Sequence, residues 1–133
     1  MSSLKETIYL PHDWYEYVRA DSAVDEQPGI YEWRIEGVGL YIGKYSFIKR
    51  PKEEYTRNVN RILNNCPYRP KNRDGFRRIH RELAAAHPKG IKMTLTILEN
   101  ETDPKARNRR ERGWIAQRRT EEKAGGLAVL NSN

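Results

Sequence analysis

The chain is predicted to be a small α+β domain in which a three-stranded antiparallel sheet is flanked by helices, in the order β-β-α-α-β-α. Three observations predict it. Apolar residues alternate with period two over 29–36 and 91–98, with a further strand at 40–45 behind a glycine-bearing turn; they recur at the 3.6-residue helical period in two stretches between 45 and 91; and an Asp103-Pro104 pair opens a long charged stretch that closes on Gly125 and Gly126. Three strands with helices packed on them make one such domain.

Residues 1–27 precede the pattern as an N-terminal extension. They set Tyr9, Trp14, Tyr15 and Tyr17 among acids, with Lys5 and Arg19 the only basic residues, so these aromatics are expected to pack on the core domain, 28–133, rather than bind a polyanion. In Gly29 to Glu36 the alternation puts Tyr31, Trp33 and Ile35 on one face of a strand. Leu40 to Tyr45 is the next strand, and Gly37 and Gly39 supply the permissive backbone of a hairpin turn. Pro51 suits the first turn of a helix of about 14 residues, whose Tyr55, Val59, Ile62 and Leu63 fall on one side. Two prolines and several asparagines make 64–74 a loop. Asp74 is the expected N-cap of a second helix, with Phe76, Ile79 and Leu83 as its buried stripe and an end near Pro88 and Gly90. In the third strand Ile91, Met93, Leu95 and Ile97 share the core face, with Lys92, Thr94 and Thr96 opposite. Asp103 caps and Pro104 begins the third helix, which runs to about Lys123.

A single domain is what 133 residues accommodate. Hydrophobic residues make up 37% of the chain and charged residues 32%, so a modest core lies under a heavily ionised surface. No stretch approaches the ~20 apolar residues of a membrane span, and MSSLKETIYL lacks the basic and apolar regions of a secretory signal; a cytoplasmic protein with no membrane partner is expected. Cys66 is the single cysteine, which excludes an internal disulfide and a multi-cysteine zinc cluster and leaves a buried or inert thiol as the expectation.

The formal charge of +7 is unevenly spread. Residues 1–43 hold three basic against eight acidic residues, 44–119 hold 21 against eight, and 120–133 hold one against two. A basic block of this kind attracts a polyanion through counterion release, and nucleic acid is the commonest such partner. Arg61, Arg69, Lys71, Arg73, Arg77, Arg78 and Arg81, spread over the first helix, the following loop and the second helix, are the expected contacts to a DNA backbone, adding affinity without sequence choice.

One residue stands apart on physical grounds. Glu111 lies three before Trp114 and four before Ile115, so on the third helix it shares a face with residues that favour burial. An inward carboxylate is costly without a partner; a salt bridge to Arg107, one turn earlier, and a bound metal ion are the two explanations.

Gly29-Ile30-Tyr31 and Tyr41-Ile42-Gly43 lie on one predicted hairpin, ten residues apart from tyrosine to tyrosine, and Glu111-Arg112-Gly113-Trp114-Ile115 sets a glutamate ahead of a large apolar residue and isoleucine on the third helix. Over roughly 28–131 the chain resembles the GIY-YIG nuclease superfamily, with Leu130-Asn131 similar to its closing asparagine. The resemblance implies hydrolysis of a DNA phosphodiester with one divalent cation, Mg²⁺ or Mn²⁺, held by Glu111. It further implies Tyr31 as general base or water-orienting group, Tyr41 as a supporting donor, an arginine that meets the charge growing on the phosphate, and Asn131 orienting a phosphate or a tyrosine. A free tyrosine titrates near pH ~10, so a base role needs a neighbouring cation, which Lys44 is positioned in sequence to provide. An ungapped count sets Pro51 in the arginine's place; Arg50, adjacent to it, is favoured, then Arg57. His80 stands at the edge of the second helix's buried face, with structural and catalytic roles both open.

Two other readings compete with the endonuclease: a nucleic-acid-binding module that keeps the fold without catalysis, and a protein-interaction domain docking through its acidic, aromatic N-terminus. The sequence shows no obvious separate DNA-reading domain such as a zinc finger, so target choice is expected to fall to the extension, the 64–74 loop, a homodimer or an accessory protein.

Overall fold

The two glycine-flanked strands form the middle of a five-stranded sheet. In the computed structural model, which describes residues 7–132, β1 (Glu16–Arg19), β2 (Gly29–Ile35), β3 (Gly39–Tyr45), β4 (Met93–Asn100) and β5 (Ala128–Val129) align in the order β1-β4-β2-β3-β5. β2 runs antiparallel to β3 and β4, whereas β1 is parallel to β4 and β5 parallel to β3. The sheet is therefore mixed, and the three-stranded antiparallel expectation is corrected on both edges. Edge strands of four and two residues carry too few positions for a period-two pattern to register. The first six residues of the extension and Asn133 lie outside the described residues.

The β2–β3 turn needs its glycine. Val38 N–H donates to the Ile35 carbonyl at 3.0 Å with Gly37 at φ +72°, the third position of a turn that demands positive φ.

Both faces of the sheet are covered. One carries Tyr31, Trp33, Ile35, Tyr45, Met93, Leu95 and Ile97 beneath α1 (Tyr55–Leu63) and α2 (Arg78–Ala86). A π-helical turn at Arg50–Glu54, with Pro51 buried in it, leads directly into α1, so the two together make the helix expected from the sequence. The other face carries Ile30, Leu40 and Ile42, against which Leu98 and the Trp114 and Ile115 side chains of α3 (Pro104–Gly125) pack. β2 is thus buried on both sides, and the polar phase of its alternation holds a charge: the Glu32 carboxylate accepts from Arg118 Nε and Arg34 Nη2, both at 3.0 Å. Glu32 is 5% exposed. Removing one member of a buried ion pair strands the other, so Glu32→Ala is expected to destabilise the fold by about 3 kcal/mol, at the low end because Arg118 keeps Glu121 as a second partner. Urea unfolding measures it; a loss under about 1 kcal/mol would place the pair among surface bridges.

α3 has no fully buried side chain, yet it is tied to the sheet at its caps and along its inner face. Asp103 accepts from Ala106 N–H at 2.8 Å, Arg110 and Trp114 both donate to Glu99 of β4, and beyond left-handed Gly126 the chain returns as β5. The N-terminal residues are tied in as well. Trp14 stacks on Trp33 with ring centroids 5.2 Å apart and donates to Thr56 Oγ1, while the Asn100 amide accepts from Val24 N–H and donates to the Val24 and Gln27 carbonyls.

Two boundaries shift. α2 starts at Arg78, because Arg77 is extended (ψ 160°) and gives its N–H to His80 Nδ1 at 3.1 Å; Asp74, the expected cap, instead offers its carbonyl to Arg81. β4 begins two residues late, since Ile91 N–H still closes on the Ala86 carbonyl beyond the turn at His87–Lys89. Cys66 is exposed, which removes the buried half of the expectation of a buried or inert thiol. Among the described residues no helix is long and apolar enough to cross a membrane.

Candidate active site

β3 is paired on its outer side only in part. β5 covers Gly39 and Leu40, and the Asn131 amide covers the next step, with Oδ1 accepting Ile42 N–H at 2.9 Å and Nδ2 donating to Ile42 C=O at 2.7 Å. From Gly43 onward the edge is free. There a cleft of about 320 Å³ opens, lined by Tyr31, Tyr41, Gly43, Lys44, Tyr45, Ser46, Arg50, Arg77, Arg107 and Glu111. The sheet supplies its floor, the π-helical turn and the start of α2 one wall, and α3 the other.

Gly43 exists for this floor. A Cβ on it would lie 2.3 Å from the Tyr31 phenol carbon and hydroxyl, so only glycine lets that ring cross the strand in register with it. Gly29 is equally constrained, its Cβ direction ending 2.2 Å from the Glu99 carbonyl beside the register shift at Ile30 and Tyr31. The motif glycines are packing requirements.

Tyr31 is buried and shares a 2.7 Å hydrogen bond with the Tyr55 hydroxyl. Burial, foremost, and the Tyr41 phenol hold its proton more tightly than in a free tyrosine, while Arg77 and Arg50 act the other way. The Tyr55 hydroxyl likewise holds its proton well above the ordinary tyrosine range, again first by burial. The cations that favour ionisation of Tyr31 are therefore Arg77 and Arg50, and the expectation for Lys44 is corrected. Lys44 leaves β3 on the alternate phase, donates to Asn108 Oδ1 of α3, and acts on Glu111 instead.

Arg77 is the residue whose place the sequence did not reveal. Its sequence neighbours mark it as a backbone-binding arginine, yet its Nη1 donates to the Tyr41 hydroxyl at 3.1 Å inside the cleft. Arg50 lines the same cleft, with Glu54 at 3.7 Å, and is more than half exposed at its side chain. Arg57 does not reach it. Arg57 and Arg61 border a separate cleft of about 460 Å³ beneath Ile8, which exchanges two hydrogen bonds with the Asn64 amide. Of the remaining basic residues, Arg73 and Arg81 line a third pocket beside Phe76, Arg69 lies over the Tyr68 ring, and Lys71 and Arg78 project into solvent.

Glu111 reaches the cleft from α3 half-buried and forms no salt bridge with a described residue. The Arg107 alternative fails on geometry, because that guanidinium donates to the Glu101 and Thr102 carbonyls at the head of the helix. Burial raises the Glu111 carboxyl above the usual range, opposed by Lys44, Arg112 and Arg77. An unpaired, partly dehydrated carboxylate facing arginines across open space suits a cation better than a structural bridge does. No group of three or more His, Cys, Asp or Glu side chains that could hold a metal occurs among the described residues. A one-carboxylate site fits Mg²⁺, which keeps several waters and takes substrate phosphate oxygens as further ligands.

His80 and Asn131 make hydrogen bonds that position neighbouring elements of the site. Asn131 spends both amide atoms on Ile42 and fixes the second motif strand. His80 is buried edge-on against Tyr55 (centroids 4.8 Å), and its Nδ1 caps the turn that aims Arg77. Burial, then Arg77 and Arg81, lower its pKa to about 4. Above pH ~6.5 the imidazole is neutral in both folded and unfolded chains; as pH falls toward 4 only the unfolded chain gains the proton, so the fold loses on the order of 3 kcal/mol over that window. His80→Asn keeps an acceptor near the Nδ1 position and removes the titration. Urea unfolding at pH 7 and pH 4.5 is expected to show a smaller acid loss in this variant by about that amount; equal losses would remove His80 from the account.

No family model, curated protein or solved structure matches the chain.

Proposed function

We propose that the protein is a divalent-metal-dependent DNA endonuclease of the GIY-YIG type, hydrolysing phosphodiester bonds in the cleft at the free edge of β3. The observation that carries this reading is convergence. Tyr31 and Tyr41 of the hairpin, Arg50 of the π-helical turn, Arg77 ahead of α2 and Glu111 of α3 come from segments far apart in sequence and line one opening.

Each side chain has work that its surroundings suit. Arg77 and Arg50 set fixed positive charge on the α2 side of the cleft, where a scissile phosphate gains charge as it reacts; such preorganised charge is usually the largest contribution to phosphoryl transfer. Tyr41 accepts from Arg77 and so aims the guanidinium while its own hydroxyl hydrogen stays free to donate. Tyr31 holds its proton at neutral pH and therefore orients a water; acting as a base requires Arg77 or Arg50 to close on the phenol. Glu111, with Lys44 and Asn108 beside it, would hold the cation. When bound, that ion supplies Lewis-acid stabilisation of the phosphate and of the leaving oxygen. Lys71, Arg73, Arg78 and Arg81 remain backbone contacts in this scheme.

The test is nicking of supercoiled plasmid with Mg²⁺, comparing the protein with Glu111→Gln. Binding without cutting by both proteins would leave a nucleic-acid-binding module of the same fold.

A further inference from the structure

The exposed phenyl ring of Phe47, next in sequence to a residue that lines the cleft, has no role in the scheme above. Phe47 is 76% exposed, and among the described residues its only rival for so bare a large apolar side chain is Tyr9 in the N-terminal segment. Its place is specific. Ser46, the preceding residue, lines the cleft, as does Arg50 three residues on. Phe47 itself is fixed in a turn, its carbonyl accepting Arg50 N–H at 3.0 Å while Ile48 is partly buried against the core. The backbone is therefore pinned on both sides of an outward ring. Lys44, Lys49 and Arg50 surround it in sequence, all exposed. A bare aromatic ring in a setting of like positive charge is poorly suited to a second protein's apolar surface, and well suited to a polyanion that also carries flat faces.

We propose that Phe47 stacks on a nucleobase next to the phosphate held in the cleft, and that the protein's substrate is DNA with an unpaired, unstacked base at that point. This inference rests on the nuclease reading above and gives it a substrate class. The argument is geometric. Cα atoms of adjacent residues lie about 3.8 Å apart, so Phe47 sits at the rim of the opening that Ser46 lines, within reach of the nucleotide beside the bound phosphate. Within a continuous duplex every base face is already covered by its neighbours, and the ring finds a partner only where stacking is broken, as in a bulge, a branch or a single strand. Stacking on an aromatic side chain is tolerant of sequence because every base has a π-face, so the preference is for DNA structure.

Equilibrium binding in EDTA, where no cutting occurs, tests this with fluorescence anisotropy on two labelled DNAs: a continuous duplex and the same duplex with a small central bulge. Wild-type protein is expected to favour the bulged DNA, and Phe47→Ala to weaken that complex about tenfold while changing duplex binding less than about twofold. Phe47→Trp should retain the preference, since the larger ring stacks at least as well. Unchanged binding of Phe47→Ala to the bulged DNA, or the same loss on both DNAs, would overturn the stacking role and leave the nuclease reading standing. Absence of binding to either DNA would overturn both. Phe47 is exposed, so thermal unfolding of the variant should coincide with wild type.

Discussion

Glu111→Gln is expected to lower Mg²⁺-dependent DNA cutting by at least about 10³-fold while leaving the protein as stable as wild type, or slightly more so. The two halves come from one fact. The carboxylate is half-buried without an ion-pair partner, and burial pushes its pKa up, which means the ionised form is disfavoured in the folded chain. At neutral pH that group costs stability, and an isosteric amide relieves the cost. Melting curves with and without Mg²⁺ supply a readout independent of cutting. Wild type should rise in Tm as the ion is added, the stabilisation reaching about 2.7 kcal/mol at a hundred times the dissociation constant, and the Tm of Glu111→Gln should not move. A variant that melts well below wild type would assign Glu111 a structural role instead. Equal cutting by both proteins would dismiss the metal-ligand assignment.

Gly43→Ala should be among the most damaging single-methyl additions to the described residues. The added carbon would lie 2.3 Å from the Tyr31 phenol, which is itself buried and tied to Tyr55, so neither ring nor strand can yield cheaply. Overpacking of this kind costs about 3 kcal/mol, and for a domain of this size that is a fall in Tm of roughly 10 °C. Activity should fall further than stability does, by about 10²-fold in the fraction that remains folded, since an ångström of displacement at Tyr31 misaligns water and phosphate. Calorimetry and nicking assays below the melting range separate the two effects. Wild-type melting would mean that the ring has room the geometry denies.

The hairpin, α1, β4 and α3 were legible because each satisfies a local rule: alternation, helical spacing, a proline in the first turn, an Asp-Pro start. What escaped depended on partners distant in sequence. β1 and β5 exist because β4 and β3 have open edges at their ends, and nothing in four or two residues announces that. Glu32 looked like the solvent phase of a strand; it is interior because α3 returns across the sheet and brings Arg118 to it. In the site, Tyr31, Tyr41 and Glu111 could be named from their motifs, and Arg50 from its nearness to them. Arg77 could not be distinguished from its basic neighbours, because its aim into the cleft is set by an irregular loop and by the His80 ring that caps it. Lys44 neighbours the motif tyrosines along the chain but not across the pleat: positions 41, 43 and 45 share one side, and 44 takes the other.

α3 carries Arg107, Arg109, Arg110, Arg112, Arg118 and Arg119, yet contributes no fully buried side chain. Its location is fixed at both ends, by the Asp103 cap and by the short strand that follows Gly126 onto β3, and along its inner face by Trp114, Ile115 and the Arg118–Glu32 pair. A rod anchored like that leaves its outer side nearly free of folding constraint, so most surface substitutions there can retune affinity for a charged ligand without eroding the fold. The burden of constancy falls instead on the caps and the inner face, where a lost contact would shift the rod and, with it, its lone acidic side chain in the cleft.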